Sequence, residues 1–375
     1  MSEDDGGLRI CLVLATSTGG VGRHVRALAT GLHDAGHQVV VLAPAATRER
    51  FGFAAPGDGT EFAPVEIGSG LRPVADFRAA VHVSQSVRDT DVVHAHGLRA
   101  GVLTALGLRK LGSGRPAFVV TLHNAMTGSW LRRRVLSFVE ARLARAADQI
   151  LAVSPDLVVG LRRTRPDADR ALVASSLRPP TADRAETRAA LGVDEGSAMV
   201  LAIGRLHRQK GFDVLVAAAG LLAGVAPATV FVIAGEGPMR GELETLIART
   251  PGDVRLLGDR ADISELANAA DLVVMPSRWE GWSLAAAEVL GAGRPFIASA
   301  VGGLPELVRD GGILVASEDP DALADAIRRV LAQPSVATQL AAAALARAAE
   351  LPAAHDVTAS VLATYGRAIK SRMSR

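Results

Sequence analysis

Short, predominantly apolar runs recur along this chain, each followed by a stretch long enough for a helix. The first five are Leu8–Ala15, Gln38–Ala43, Asp91–Ala95, Ala117–Leu122 and Gln149–Val153. A strand that is apolar at nearly every position has no face to offer water. It belongs in a parallel sheet covered by helices on both sides. A Gly-rich turn, Thr16–Gly22, leads from the first run into a helix reaching about Ala35. The alternation stops between Leu177 and Ala198, where Pro179 and Pro180 interrupt regular structure. It resumes with Met199–Gly204, Val230–Ala234, Val254–Leu257, Leu272–Pro276, Pro295–Ala298 and Gly312–Val315. Helical segments over 211–224, 238–249, 262–269, 283–291 and 320–332 separate them.

This order predicts an α/β protein with two Rossmann-like, doubly wound parallel-sheet domains facing a central cleft. A chain of 375 residues also exceeds what one core usually serves. The expected divisions are an N-terminal domain over 1–180 and a C-terminal domain over 181–355. Val336–Glu350 is helical by propensity, and Val357–Lys370 reads as one more helix. The segment 356–375 is expected to pack back on the first domain.

The formal charge is only +2. That gives no global field for nucleic acid, so any anion site must be local. Lys occurs only at 110, 210 and 370. The single cysteine, Cys11, sits inside an apolar run and reads as a buried strand thiol. Met1–Gly7 is acidic and lacks the order of a signal peptide. No apolar stretch approaches the ~20 residues that span a bilayer. A cytoplasmic location is expected.

Ligands of open α/β sheets bind beyond the carboxyl ends of the strands. There Gly204-Arg205 closes one strand, and Lys210-Gly211 opens the next helix. An Arg that grips oxygens in pairs, a mobile Lys and a helix mouth suit a diphosphate, although a solvated surface loop would look the same. The second loop, Pro276 to Leu284, leads into a helix carrying Glu288. Ser283 is a plausible N-cap. Glu288 lies about 7 Å along the axis from it, roughly a phosphate-to-ribose distance. Glu280 precedes the helix. The plainer reading is that both glutamates serve the helix dipole.

The spacing of Glu280 and Glu288 resembles the paired-glutamate motif of retaining glycosyltransferases of family 4, which have the GT-B fold. Gly204-Arg205 with Lys210-Gly211, Gly235-Glu236-Gly237-Pro238 and Gly302-Gly303-Leu304-Pro305-Glu306 resemble other segments of that family. So, more loosely, do Gly19 to His24, Val93 to His96 and Thr121 to His123. The likeness spans nearly the whole chain and is most specific over 199–320. It implies transfer of a sugar from a UDP- or GDP-sugar to a small-molecule, glycan or lipid-linked acceptor, with retention of anomeric configuration. By the same resemblance Arg205 and Lys210 would neutralise the diphosphate, and Glu288 would hold the ribose. Glu280 and the backbone of Gly281, Trp282, Ser283 and Leu284 would hold the donor. Gly19 and Gly20 would close over the diphosphate, His123 would contact sugar and departing phosphate, and Arg260 would lie near the base. Ser283 departs from the family's usual Gly, and Ser175-Ser176-Leu177 from its usual Asn-Gly turn.

No cofactor and no essential metal are expected. Asp89/Asp91, Asp167/Asp169 and Asp319/Asp321 form Asp-x-Asp pairs, but caps and turns account for them. His94 and His96 have no third ligand at metal spacing. A dinucleotide-binding reading fails because Val25 and Arg240 stand where third glycines are needed. Over 130–147, Leu131, Val135, Phe138, Val139 and Leu143 form a stripe among Arg132, Arg133, Arg134, Arg142 and Arg145. This is either a helix packed on the sheet or one resting on an anionic membrane. A sugar-nucleotide 2-epimerase and a non-enzymatic two-domain sugar-binding protein are the competing functions.

Overall fold

The computed structural model describes residues 7–374 apart from 18, 56, 58, 69, 124–129, 175–179 and 226. The chain forms two compact units, Met1–Ala174 with Pro352–Arg375, and Ser175–Leu351. The Ser175-Ser176-Leu177 departure lies outside the described residues.

The first unit runs β1 (Arg9–Leu14), α1 (Gly20–Asp34), β2 (Gln38–Ala43), α2 (Ala45–Phe51), β3 (Glu61–Pro64), α3 (Pro73–Ser86) and β4 (Val92–His96). It continues with α4 (Leu98–Leu108), β5 (Ala117–Leu122), α5 (Trp130–Ala146), β6 (Gln149–Ala152), α6 (Pro155–Arg162) and β7 (Asp169–Arg170). Its sheet has the order β3-β2-β1-β4-β5-β6-β7, with every pairing parallel. The order reverses between β1 and β4, where loops on opposite sides of the sheet part company. All residues of β4 and β5 are buried, His94, His96 and Thr121 included, as central strands covered on both faces require.

The second unit contains α7 (Arg184–Ala190), β8 (Ala198–Ile203), α8 (Phe212–Leu221), β9 (Thr229–Ala234), α9 (Arg240–Ile247), β10 (Asp253–Gly258) and α10 (Ile263–Ala269). Then come β11 (Leu272–Met275), α11 (Leu284–Gly291), β12 (Phe296–Ser299), α12 (Leu304–Val308), β13 (Ile313–Val315), α13 (Pro320–Ala332) and α14 (Pro334–Ala349). Its parallel sheet, β10-β9-β8-β11-β12-β13, reverses between β8 and β11. Apolar clusters fill both faces. Met199, Leu201, Val273 and Phe296 lie on one side, and Val200, Phe231, Leu272 and Ile297 on the other.

The last helix, α15 (Ala354–Met373), belongs to the first unit. It buries Val357, Thr358, Val361, Thr364, Tyr365 and Ala368 against α1 and β5. Gly31 of α1 makes room for it, since a Cβ there would lie 2.3 Å from the Thr358 hydroxyl. Tyr365 is fully buried, with its hydroxyl 3.0 Å from His94 Nδ1.

Two strands escaped the sequence reading. β3 and β7 are the outer strands of the first sheet and are partly exposed, so neither needs an apolar run. Helix α5 departs further from a helix packed on the sheet. Leu143 is buried, but Leu131, Val135 and Phe138 are 64%, 56% and 60% exposed. The periodicity marked an apolar face correctly without showing what would cover it.

Tyr365→Ala should cost the first unit about 3–5 kcal/mol, the usual range for removing a buried aromatic ring. In hydrogen exchange, amides of β4 and β5 should lose protection while those of β8 and β11 keep theirs.

Candidate functional site

In the second unit the loops after β8, β9, β11 and β12 all leave the same end of a parallel sheet. They approach so closely that backbone meets backbone. A Cβ on Gly235 would lie 1.8 Å from the Gly204 carbonyl oxygen, and one on Gly211 1.9 Å from that of Pro276. A Cβ on Gly302 would lie 1.9 Å from the Glu280 oxygen. Gly211 and Gly302 also hold φ of 66° and 53°, where side chains are strained. Backbone hydrogen bonds join the loops: Arg278 N donates to Gln209 O at 2.7 Å, Gly303 N to Glu280 O at 3.0 Å, and Leu206 N to Glu236 O at 3.0 Å.

This packing brings Lys210 and Glu280 together. The Lys210 stem crosses Gly204, its Cε 3.1 Å from where a Cβ would stand. Its ammonium bonds Glu280 Oε1, and Ser277 Oγ donates to the same oxygen at 2.8 Å. Glu280 is buried, so the pair is poorly screened, and removing either partner would strand a charge. Among the described residues, Oε2 of Glu280 makes no bond. Ser283 caps α11, accepting from Ala286 N at 3.4 Å, as read from sequence. Gly281 and Leu284 are buried beside it, and Trp282 packs on the core. Glu288 lies buried within α11. Arg205 is exposed, with no side-chain partner among the described residues. Arg260 stands apart, its guanidinium closed on Asp262 at 2.7 Å.

Arg278 escaped the functional reading although it stands inside the quoted loop. It bonds both carboxylate oxygens of Asp213 at 2.7 Å, Glu318 at 2.9 Å and the Arg208 carbonyl at 2.8 Å. Burial pushes the Asp213 carboxyl up, but Arg278 outweighs it and holds the acid below its ordinary range. Arg278 therefore ties the Glu280 loop to the start of α8, which follows Lys210. Only partners distant in sequence reveal that task.

In the first unit, His96 ends β4, His123 follows β5, and Gly19 precedes α1. These strand ends and the first turn of α1 gather four buried histidines, His24, His94, His96 and His123. His96 Nδ1 and His123 Nε2 are 3.2 Å apart, and His24 meets both rings edge-on at 5.7 and 5.5 Å. His94 bonds Thr121 Oγ1 at 2.7 Å and Tyr365. Burial pushes the His24 pKa down to about 4 and that of His94 to about 3, and holds His96 and His123 well below the ordinary value. All four rings are neutral at pH 7.

The glycines of the turn differ. A Cβ on Gly22 would strike Phe51 at 2.2 Å, whereas one on Gly19 would meet nothing within 4 Å among the described residues. Packing among those residues demands a glycine at the first position and not at Gly19. Gly20 is the first residue of α1.

The Asp-x-Asp pairs behave as caps and braces. Asp91 accepts from Arg9 N at 2.8 Å, Asp319 caps α13, and Asp167 pairs with Arg165 at 2.8 Å. Among the described residues, no group of three His, Cys, Asp or Glu side chains is placed to hold a metal ion.

Comparison with known proteins agrees with this architecture. A family model described as glycosyltransferase family 4 matches residues 18–174, and one described as glycosyl transferases group 1 matches 197–333. The D-inositol 3-phosphate glycosyltransferase 1 of Catenulispora acidiphila is 31% identical over 352 residues, covering 83% of this chain and 80% of that protein. Glycogen synthase of Mycobacterium tuberculosis is 30% identical over 378 residues, covering 88% and 86%. Among solved structures, Anabaena HepE in complex with UDP and glucose superposes with a TM-score of 0.81 at 21% identity, covering 96% of this chain and 99% of that one. Sucrose-phosphate synthase from Thermosynechococcus elongatus gives 0.79 at 22%, covering 97% and 100%. The chain belongs to the group 1, family 4 glycosyltransferases and has their GT-B fold of two Rossmann-like units. It is a glycosyltransferase.

The histidine cluster makes stability depend on pH. Unfolded, each ring takes a proton near pH 6.5, while folded His24 and His94 resist until about 4 and about 3. Their contribution is complete above pH 6.5 and falls on acidification by roughly 1.4 kcal/mol per pH unit per ring until the folded values are reached. The urea midpoint should drop steeply from pH 7 to pH 5, and less steeply in a His24→Gln, His94→Gln variant.

Proposed function

We propose that this enzyme breaks the anomeric C–O bond of a UDP- or GDP-sugar and passes the sugar to a small-molecule, glycan or lipid-linked acceptor, with retention of configuration. The Lys210–Glu280–Ser277 cluster under glycine-packed loops, at the strand ends beside the mouth of α11, carries this reading. HepE, whose solved forms hold UDP and UDP-glucose, supports the choice of donor.

Cleavage leaves negative charge on the diphosphate and oxocarbenium character on the sugar. Lys210, Arg205 and the free amides at the Ser283 end of α11 stabilise that charge, so no essential metal or cofactor is required. Glu280 orients Lys210 through Oε1 and offers Oε2 to the sugar. Glu288 accepts from the ribose, while Gly281, Trp282 and Leu284 hold the donor with their backbone. Gly19 and Gly20 admit the diphosphate to bare backbone, and His123 contacts sugar and departing phosphate. Arg260 reaches the base once released from Asp262. The acceptor oxygen attacks the face the diphosphate leaves, and its proton passes to a departing phosphate oxygen.

We also infer a cytoplasmic enzyme that touches the inner face of the membrane through α5. Its first turns expose Trp130, Leu131, Val135 and Phe138 beside Arg132 and Arg133. Arg134 and Arg142 lie over the rings of Trp130 and Phe138, at 5.1 and 4.9 Å. Apolar anchors ringed by guanidinium groups suit an anionic lipid surface. Among the described residues no helix is long and apolar enough to cross a membrane.

In a thermal-shift panel of nucleotide sugars, a UDP- or GDP-sugar should raise the melting point. Lys210→Ala and Glu288→Ala should each lower turnover tenfold or more, the equivalent of ~1.4 kcal/mol. Gly19→Ala should keep the wild-type melting point yet weaken donor binding. Full turnover in both Lys210→Ala and Glu288→Ala would refute the assignment, and isomerised sugar without acceptor would point to an epimerase. At low salt the protein should sediment with phosphatidylglycerol vesicles but not phosphatidylcholine vesicles, and Leu131→Glu with Phe138→Glu should abolish this.

A further inference from the structure

Four neutral imidazoles packed together raise the question of which nitrogens carry protons. His94 has a partner on each nitrogen, Tyr365 Oη and Thr121 Oγ1. His96 has one, since its Nδ1 faces His123 Nε2 while its own Nε2 is buried without a hydrogen-bond partner among the described residues. Two neutral arrangements satisfy the 3.2 Å contact. Either His96 Nδ1–H donates to His123 Nε2, or His123 Nε2–H donates to His96 Nδ1. The second leaves the His96 Nε2–H buried with nothing to receive it, whereas the first leaves only a bare ring nitrogen there. Orphaned buried donors are the rarer defect in folded proteins.

We propose that His96 is a positioning residue, whose Nδ1–H bond to Nε2 of His123 fixes the neutral His123 ring as an outward hydrogen-bond donor through Nδ1. This rests on the reading of His123 as a donor contact. The chemistry agrees, because the sugar hydroxyls and departing phosphate present oxygens that accept, and a bare ring nitrogen would repel the developing negative charge. The surroundings hold the pair in place. His94 lies tilted against His96 with ring centres 4.2 Å apart, and His24 closes edge-on against His96 and His123. β4 supplies His96 and α1 supplies His24, so the tautomer of His123 is set by elements outside its own loop.

The first test is nitrogen NMR of the ¹⁵N-histidine-labelled wild-type protein, which needs neither a variant nor a substrate. The protonated nitrogen of His123 should be Nδ1 and that of His96 should be Nδ1, and protonation of His123 at Nε2 would overturn the proposal. The second test measures hydrolysis of UDP-glucose in variants. His96→Leu should lower kcat about tenfold with little change in KM. His96→Asn, whose amide can donate from near the Nδ1 position, should recover most of that loss. In a His123→Ala background His96→Leu should have no further effect. An equal loss in both backgrounds would make His96 merely structural and overturn the proposal. Wild-type hydrolysis by His123→Ala would instead refute the donor contact of His123, and the NMR result would still decide the tautomer.

Discussion

Carbonyl oxygens from one loop rest against the α-carbons of another throughout the strand-end cluster of the second unit. Gly211 beneath Pro276, Gly235 beneath Gly204 and Gly302 beneath Glu280 leave no space for a side chain. That contact is what brings segments some seventy residues apart, around Lys210 and Glu280, within reach of a single ion pair. A methyl group at any of the three would push the loops apart and strain the contact between Lys210 and the buried Glu280.

The same end of each sheet carries two different kinds of polarity. In the second unit it is ionic, with Lys210 on Glu280 and Arg278 on Asp213 and Glu318. In the first it is a group of uncharged histidines whose burial suppresses protonation. In the proposed mechanism the two divide the work: fixed positive charge meets the leaving diphosphate, and a neutral donor binds sugar oxygens without pairing with a carboxylate. Using His rather than Lys in the first unit avoids the desolvation cost of an isolated buried ion.

The C-terminal helix reaches the histidine cluster from far along the chain. Tyr365 comes from the last helix, yet its hydroxyl holds His94, whose ring lies against His96, which touches His123. Each contact is short-range and the rings are close-packed, so movement of α15 would be felt at the His123 loop.

Strand and helix periods, the glycine turns and the Glu280–Glu288 spacing are local properties of the sequence. They determined the α/β class, nearly every buried strand and the Ser283 cap, because each depends on residues within a turn or two of one another; the candidate donor set came from the resemblance of those motifs to a family. The edge strands β3 and β7 were not legible, since a strand half open to water needs no apolar run. Nor was the exposure of Phe138, because a periodic stripe marks a face and not its cover. Only the tertiary structure decided that Lys210 bonds Glu280, that Arg278 ties Asp213 to Glu318, and that four histidines from α1, β4 and the end of β5 share one buried cluster. These depend on which loops the parallel topology places side by side, and no spacing along the chain records that.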